Sequence, residues 1–211
     1  MIQHGGMWYP DEDVTFHVFH PKELERDIPF FLKQCPGRTR VIQAGGALGM
    51  YALALADHFQ SVVTFEPDPG NWECLTANLC ARDGFKRVRA WHGGLGSELG
   101  LGGMDRPEPW NCGANRMVPD AGNITIYTID SFRWEEPIDA IWLDIEGMEL
   151  AALKGAERTI LKHSPLIVTE ENGNGAKYGV DQFGISDYLE TLGYSVECGI
   201  GRDRYYRRAN G

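Results

Sequence analysis

Short apolar runs alternate along the chain with stretches whose apolar residues recur three or four apart. Residues 40–44, 61–65, 87–91, 138–144 and 165–169 read as strands, and 123–129 alternates apolar and polar like a strand with one wet face. Between them lie helical periods. Leu24, Ile28, Phe31 and Leu32 share a face over 21–35, where Pro29 predicts a kink or a break into two pieces. Leu48, Tyr51, Ala52, Leu55 and Phe59 share a face over 48–60. Residues 71–81, 149–163 and 183–192 complete the set, and two tail strands are expected near 195–197 and 204–207. This alternation predicts an α/β sandwich around a largely parallel sheet. Residues 93–122 break the pattern with glycines at 93, 94, 96, 100, 102 and 103 and prolines at 107, 109 and 119. They read either as a long loop covering a site or as a hairpin insertion.

A chain of 211 residues suits one domain, and a hydrophobic content of 43% supports a packed core. We divide it into an N-terminal cap or lid with one helix, residues 1–36, and a main domain, residues 37–211. With 30 acidic and 20 basic side chains the net charge is -10, which opposes general binding to nucleic acid or anionic membranes. No apolar stretch is long enough to span a bilayer, and the first residues, MIQHGGMWYP, do not resemble a secretory leader. Five scattered cysteines without a C-x-x-C pair suit reduced thiols rather than a disulfide framework or zinc site, so a cytoplasmic location is expected.

In parallel sheets, ligands bind beyond the carboxyl ends of the strands. After the first strand comes Ala44-Gly45-Gly46-Ala47-Leu48-Gly49, where missing Cβ atoms admit a ligand to the backbone. The spacing is not G-x-G-x-x-G, and no P-loop lysine follows. After the second strand stands Glu66, 21 residues beyond Gly45, where a carboxylate can accept both hydroxyls of a ribose. After the third, His92-Gly93-Gly94-Leu95 offers backbone on which a flat ring such as adenine can lie. After the fourth come Asp144, Glu146 and Glu149, and after the fifth Glu170, Glu171 and Asn172. Acids at three strand ends suit a cationic, ribose-bearing ligand better than a polyphosphate. S-adenosylmethionine has that chemistry.

These residues carry a family resemblance. The segment Leu143-Asp144-Ile145-Glu146-Gly147-Met148-Glu149, with Leu153-Lys154-Gly155-Ala156 downstream, resembles the D-x-E-G-x-E…L-x-G-A signature of FkbM-type S-adenosylmethionine-dependent methyltransferases. Residues 41–51 are similar to the family's glycine-rich first motif, and Phe65-Glu66-Pro67-Asp68-Pro69 with Asn78-Leu79 to its second. Phe183 with Leu192-Gly193-Tyr194 resembles its last helix and strand. The chain departs from the family at Gln43, Ala47 and Trp142, where Asp, Asn and Lys are common. The resemblance implies a Rossmann-like class I methyltransferase fold, a seven-stranded sheet in order 3-2-1-4-5-7-6 with the last strand antiparallel. It places Gly45, Gly46, Ala47 and Gly49 around the methionine part of the cofactor and Tyr51 at its carboxylate. Backbone carbonyls near Ala44 and Gly45 would take the amino group in place of the missing acid. Glu66 would hold the ribose, and Gly93, Gly94 and Leu95 the adenine. Asp144 and Glu146 would lie near the sulfonium.

The expected reaction is O-methylation of a hydroxyl on a small molecule or glycan, leaving S-adenosylhomocysteine. Candidates for the base are Asp144, Glu146, Glu171 and His92. The oxygen ligands Asp144, Glu170, Glu171 and Asn172 would also suit Mg²⁺, as in catechol-type O-methyltransferases, but the reading favours no metal. His17 and His20 with Asp11, Glu12 and Asp13 read as a polar lid before they read as a metal cluster. Trp8, Tyr9, Trp110 and Trp134 read as core or as walls of an acceptor pocket. Arg202, Arg204, Arg207 and Arg208 suit a charged edge strand. Two other functions compete: an NAD-type oxidoreductase on a similar sheet, and a binding module without catalysis.

Overall fold

A computed structural model describes residues 1–13, 16–108 and 110–209, with the side chains of 16–21 excluded. The chain opens with a small antiparallel hairpin, β1 (Ile2–His4) and β2 (Met7–Tyr9), followed by α1 (Phe16–Gln34). Then β3 (Arg40–Ala44), α2 (Met50–Ala56), β4 (Ser61–Glu66), α3 (Pro69–Ala81) and β5 (Val88–His92) wind outward from the sheet centre. Four short strands follow: β6 (Gly94–Leu95), β7 (Gly100–Asp105), β8 (Arg116–Pro119) and β9 (Ile124–Tyr127). The second half of the main sheet is β10 (Ala140–Leu143), α4 (Glu149–Lys154), α5 (Glu157–His163), β11 (Leu166–Glu170), α6 (Gly184–Thr191), β12 (Tyr194–Ile200) and β13 (Asp203–Arg208).

The main sheet has seven strands in the order β12-β13-β11-β10-β3-β4-β5. Numbered by sequence and read from β5, that order is 3-2-1-4-5-7-6. Only β13 runs against its neighbours. Period two sends alternate residues into two cores. Val41, Val62, Trp142, Val168 and Tyr205 meet α1, α2 and α3, whereas Ile42, Val63, Leu143, Ile167 and Tyr206 meet α4, α5 and α6. Each large apolar side chain buried this way contributes roughly 1.5–3 kcal/mol. Trp142, where lysine is common in the family, packs between Phe31 and Tyr51 with ring centroids at 4.7 and 5.2 Å.

Several elements differ from expectation. The helix α1 starts at Phe16, not at Pro21, and includes Pro29 without a break. The helical period over 149–163 divides at Gly155 and Ala156. A Cβ on Gly155 would lie 2.1 Å from the carbonyl oxygen of Gly96, so the chain turns there to admit a neighbouring strand end. Asp130 then starts the second helix, accepting the N–H groups of Arg158 and Thr159, each at 2.9 Å. Residues 93–122 contribute three short strands, of which β7 and β8 form the hairpin that is one of the two readings: β6, β9, β7 and β8 make a second, four-stranded sheet in that order, which also takes the strand expected at 123–129. Glycines concealed it. Gly102 lies 2.6 Å, by a notional Cβ, from the Met117 sulfur, so the strand packs through the absence of side chains rather than by their alternation.

Residues 1–36 hold the hairpin β1–β2 as well as α1. Asn78 on α3 ties that hairpin down, accepting from the Trp8 N–H at 2.6 Å and donating to its carbonyl at 3.0 Å. Among the described residues no helix is long and apolar enough to cross a membrane.

Candidate functional site

A cleft of about 520 Å³ lies across the carboxyl ends of β3, β4, β10 and β11. Its floor depends on a close approach of backbones. Gly45 has φ +84, and a Cβ there would stand 1.8 Å from the carbonyl oxygen of Asp144. Gly46 donates its N–H to the Phe65 carbonyl at 2.8 Å, and its own Cβ would press on Thr64 Oγ1 at 2.9 Å. Only glycine fits at 45, and at 46 a Cβ would force Thr64 and Leu75 to shift. Ala47 is held at φ 43, an uncommon conformation for a residue with a Cβ. That twist points its N–H at Glu66 Oε2, 2.6 Å away. Gln43 replaces the family's acid with a different device. Its amide accepts from Thr64 Oγ1 at 2.7 Å and donates to the Gly45 carbonyl at 2.8 Å, so one of the carbonyls expected to serve the cofactor is already engaged.

Glu66 is only 4% exposed. Its second oxygen accepts the Asp68 N–H at 2.7 Å. Burial pushes its carboxyl up to about 8, against the pull of those two backbone donors. The Asn71 side chain also hydrogen-bonds the carboxyl and opposes the rise, and the ionised carboxylate keeps acceptor capacity beyond these partners for a ligand. Asp68 begins α3 by accepting from Gly70 and Asn71, and Arg106 binds it at 2.8 Å.

The other end of the cleft is acidic. Carboxylate oxygens of Asp144, Glu146 and Glu170 all lie within 4.8 Å of one another. Asp144 is open to the cleft yet surrounded by protein. That enclosure raises its carboxyl well above the usual range, with help from Glu170 and Glu146, and water in the cleft tempers the effect. Glu146, at φ 56, is raised by burial and by Glu170, while amides of Asn172 and Asn174 bind it and oppose the rise. Beneath the turn, Glu149 accepts the N–H groups of Ile145 at 2.9 Å and Gly147 at 3.2 Å, and burial raises it to about 7. Asp203 is likewise raised to about 7 by burial and by Asp27.

The structure brings Gly45, Gly46, Ala47, Tyr51, Glu66, Gly94, Leu95, Asp144 and Glu146 to this cleft. Six residues depart from the expected geometry. Tyr51 lines the cleft, but its hydroxyl donates to Asp27 Oδ2 at 2.9 Å, so it is committed before any ligand arrives. His92 lies outside the lining, stacked on Trp72 with centroids 5.0 Å apart. Gly49 packs against Leu75, and Gly93 against Thr125 and Tyr127, both away from the lining. Glu171 turns aside to accept from Tyr206 at 2.5 Å, and Asn172 donates to Glu146 and Glu170, so neither joins the oxygen cluster of Asp144, Glu146 and Glu170. Trp8, Tyr9, Trp110 and Trp134 line no part of the cleft. The side chains of His17 and His20 lie outside the described residues, and Asp13 is buried, accepting from the Cys112 N–H at 3.0 Å.

Sequence reasoning missed Arg26 and Asp27 on α1, paired at 2.6 Å, and the Asn111–Asn115 stretch before β8. The sequence signal for the first was no more than an acid next to apolar Ile28; in the fold Asp27 is buried.

Acids whose folded pKa exceeds the unfolded value stabilise the fold below the unfolded pKa, and that stabilisation is lost as pH rises through the folded value. Glu66, Glu149 and Asp203 define such a window, from ordinary carboxyl values near 4 up to about 7 to 8. The ligand-free protein should therefore melt several degrees lower at about pH 8.5 than at about pH 5.5. Calorimetric scans across that range check this, and a midpoint that rises with pH would contradict it.

The missing Cβ atoms at Gly45 and Gly46, the cleft volume and the buried acid beside the glycine turn fit a ribose-bearing, cationic cofactor. Comparison with known proteins agrees. No curated protein matches the sequence. Among solved structures, the FkbM methyltransferase of Methylobacillus flagellatus KT is similar at 19% identity and TM-score 0.55 over 81% of this chain; the match spans 43% of that protein. The precorrin 8W decarboxylase of Methanobacterium thermoautotrophicum shares 14% identity at TM-score 0.55, covering 99% of this chain and 100% of that one. An O-methyltransferase from Bacillus cereus, in complex with S-adenosylhomocysteine, shares 13% identity at TM-score 0.50 over 94% of this chain and 84% of its own. These likenesses show the class I methyltransferase fold. The sequence itself matches the methyltransferase FkbM domain over residues 25–196, and the chain belongs to that family of S-adenosylmethionine-dependent methyltransferases.

Proposed function

We propose that this protein is an O-methyltransferase acting on a hydroxyl of a small molecule or glycan. The observation that carries the reading is one seam. Buried Glu66, held by the Ala47 and Asp68 N–H groups, faces the same cleft as the acid group of Asp144 and Glu146. Glu66 would bind the ribose hydroxyls, the backbone of Gly45, Gly46 and Ala47 the methionine part, and that of Gly94 and Leu95 the adenine. Asp144 would stand beside the sulfonium. When bound, the cofactor supplies an electrophilic methyl group on a positively charged sulfur.

The chain's own contribution is chiefly position and exclusion of water. A base near the acceptor hydroxyl adds roughly 10²- to 10⁴-fold. Glu146 suits that role, since two amides orient it and its raised pKa improves its proton affinity. Asp144 would be occupied by the cationic donor. His92 lies outside the lining, stacked on Trp72, which favours Glu146 over it, and the Tyr51 hydroxyl already donates to Asp27. The strongly acidic surface supports an acceptor other than nucleic acid and the absence of membrane binding, and the unpaired cysteines support a cytoplasmic setting. Glu23, Arg26 and Asp27 of α1 reach the cleft, which supports residues 1–36 as a cap over it.

A labelled-methyl assay against fractionated cell extract tests the reading. Label should enter an acceptor, the rate should survive a chelator, and Glu146→Gln should lower it at least about a hundredfold while retaining S-adenosylhomocysteine binding. A wild-type protein that binds the product but labels nothing would favour the binding-module alternative.

A further inference from the structure

A second cavity, of about 340 Å³, opens directly behind the first. The turn of residues 144–149 is the wall between them. Asp144, Glu146 and Met148 face the cofactor side, Gly147 and Glu149 face the far side, and Glu170 lines both. The far cavity is completed by the segment after β11 and the approach to α6, including Asn172, Gln182 and Phe183.

Phe183 is the unusual member. It is 57% exposed, a large aromatic face left in water at the lip of a polar cavity. Its backbone is anchored at the start of α6, since its N–H donates to Asp181 Oδ1 at 2.9 Å and its carbonyl accepts the Ser186 hydroxyl at 2.9 Å. Around it stand carboxylates, carboxamides and the Arg204 guanidinium, whose nearest partners are main-chain oxygens of Gly201 and Asp203. An aromatic plate beside planar hydrogen-bonding groups is the chemistry that receives a sugar ring. The apolar C–H face lies on the aromatic, and the hydroxyls pair with amides and carboxylates. Glu170, Glu171 and Asp181 outnumber the lone Arg204, so the lining repels an anion.

We propose that this second cavity is the methyl-acceptor site and that it takes a polyhydroxylated ring bearing no negative charge. A hydroxyl leaning over the wall at Glu170 then enters the cofactor cleft. The assignment rests on the methyltransferase reading of that cleft, but its test does not depend on turnover.

Saturation-transfer NMR on the full chain, with and without S-adenosylhomocysteine, uses three probes: methyl glucoside, methyl glucosaminide and methyl glucuronide. Ring C–H protons of the first two should receive saturation and those of the glucuronide should not. Phe183→Ala should weaken both signals about five- to tenfold, Phe183→Tyr should preserve them, and calorimetric affinity for S-adenosylhomocysteine should be unchanged in both variants. No contact from any probe, contacts that survive Phe183→Ala, or an equal response from the glucuronide would overturn the proposal. Sugar contact in a protein that does not bind S-adenosylhomocysteine would instead retire the methyltransferase reading and leave the sugar site standing. Product binding without sugar contact would do the reverse.

Discussion

Gly45→Ala should destroy cofactor binding, lowering affinity for S-adenosylhomocysteine at least about a hundredfold, and should destabilise the fold by on the order of 3 kcal/mol. Two penalties act together. The residue sits at φ +84, where a Cβ is strained, and the new methyl would lie 1.8 Å from the Asp144 carbonyl oxygen. That oxygen belongs to backbone already anchored, since the Asp144 N–H donates to the Ala44 carbonyl at 3.0 Å. The seam between β3 and β10 must therefore part, and both walls of the cleft move. Gly100→Ala is the matched control, because a Cβ there meets nothing within 4 Å. Calorimetric titration and urea denaturation of the two variants give the comparison. Affinity within about threefold of wild type for Gly45→Ala would mean that the seam is not the binding wall.

Glu66→Ala should weaken S-adenosylhomocysteine binding at least about tenfold, as the loss of charge-assisted hydrogen bonds requires. It also strands the Ala47 and Asp68 N–H groups, a cost of about 1–3 kcal/mol for each that water cannot reach. Glu66→Gln separates the effects, because it keeps the shape and one acceptor but removes the charge. The pH dependence supplies the sharper readout. A ribose is best held by the ionised carboxylate, and in the ligand-free protein this group titrates at about 8. Affinity should rise with pH from about 6.5, by no more than tenfold per unit, and level off above about 8. Glu66→Gln should remove that slope. An unchanged dissociation constant in Glu66→Ala, or a slope that persists in Glu66→Gln, would refute the ribose assignment.

The sequence made the main sheet legible because its strands are buried on both faces. Val41, Ile42, Val62 and Val63 announce themselves as continuous apolar runs whichever side they face. The acids and glycines at the strand ends were readable for the opposite reason: nothing in an apolar core accounts for Glu66 or Asp144. The second sheet was legible only in part: the alternation of 123–129 and the hairpin reading of 93–122 match β9 and the β7–β8 pair, but Gly94, Gly100, Gly102 and Gly103 carry no side chains to alternate. The division of α4 from α5 was hidden because its cause, the carbonyl of Gly96, lies far away in sequence. Chemistry at a strand end does not fix direction either. His92 has a plausible residue type and a plausible place, yet β5 is the sheet's edge and the ring found Trp72 instead of the cleft. Tyr51 was expected at the cofactor carboxylate; it lines the cleft, but its hydroxyl partner Asp27 comes from a helix whose role no motif signals.

The turn of residues 144–149 gives the two cavities a shared partition, and among the described residues Glu170 is the only side chain to line both. If the proposed assignment holds, donor and acceptor chambers are separable, and residues such as Val180, Gln182 and Phe183 could be changed to alter what is admitted without loosening the grip on the donor. Selection of new acceptors by directed evolution should accordingly gather its substitutions on that outer side and leave the glycine seam alone.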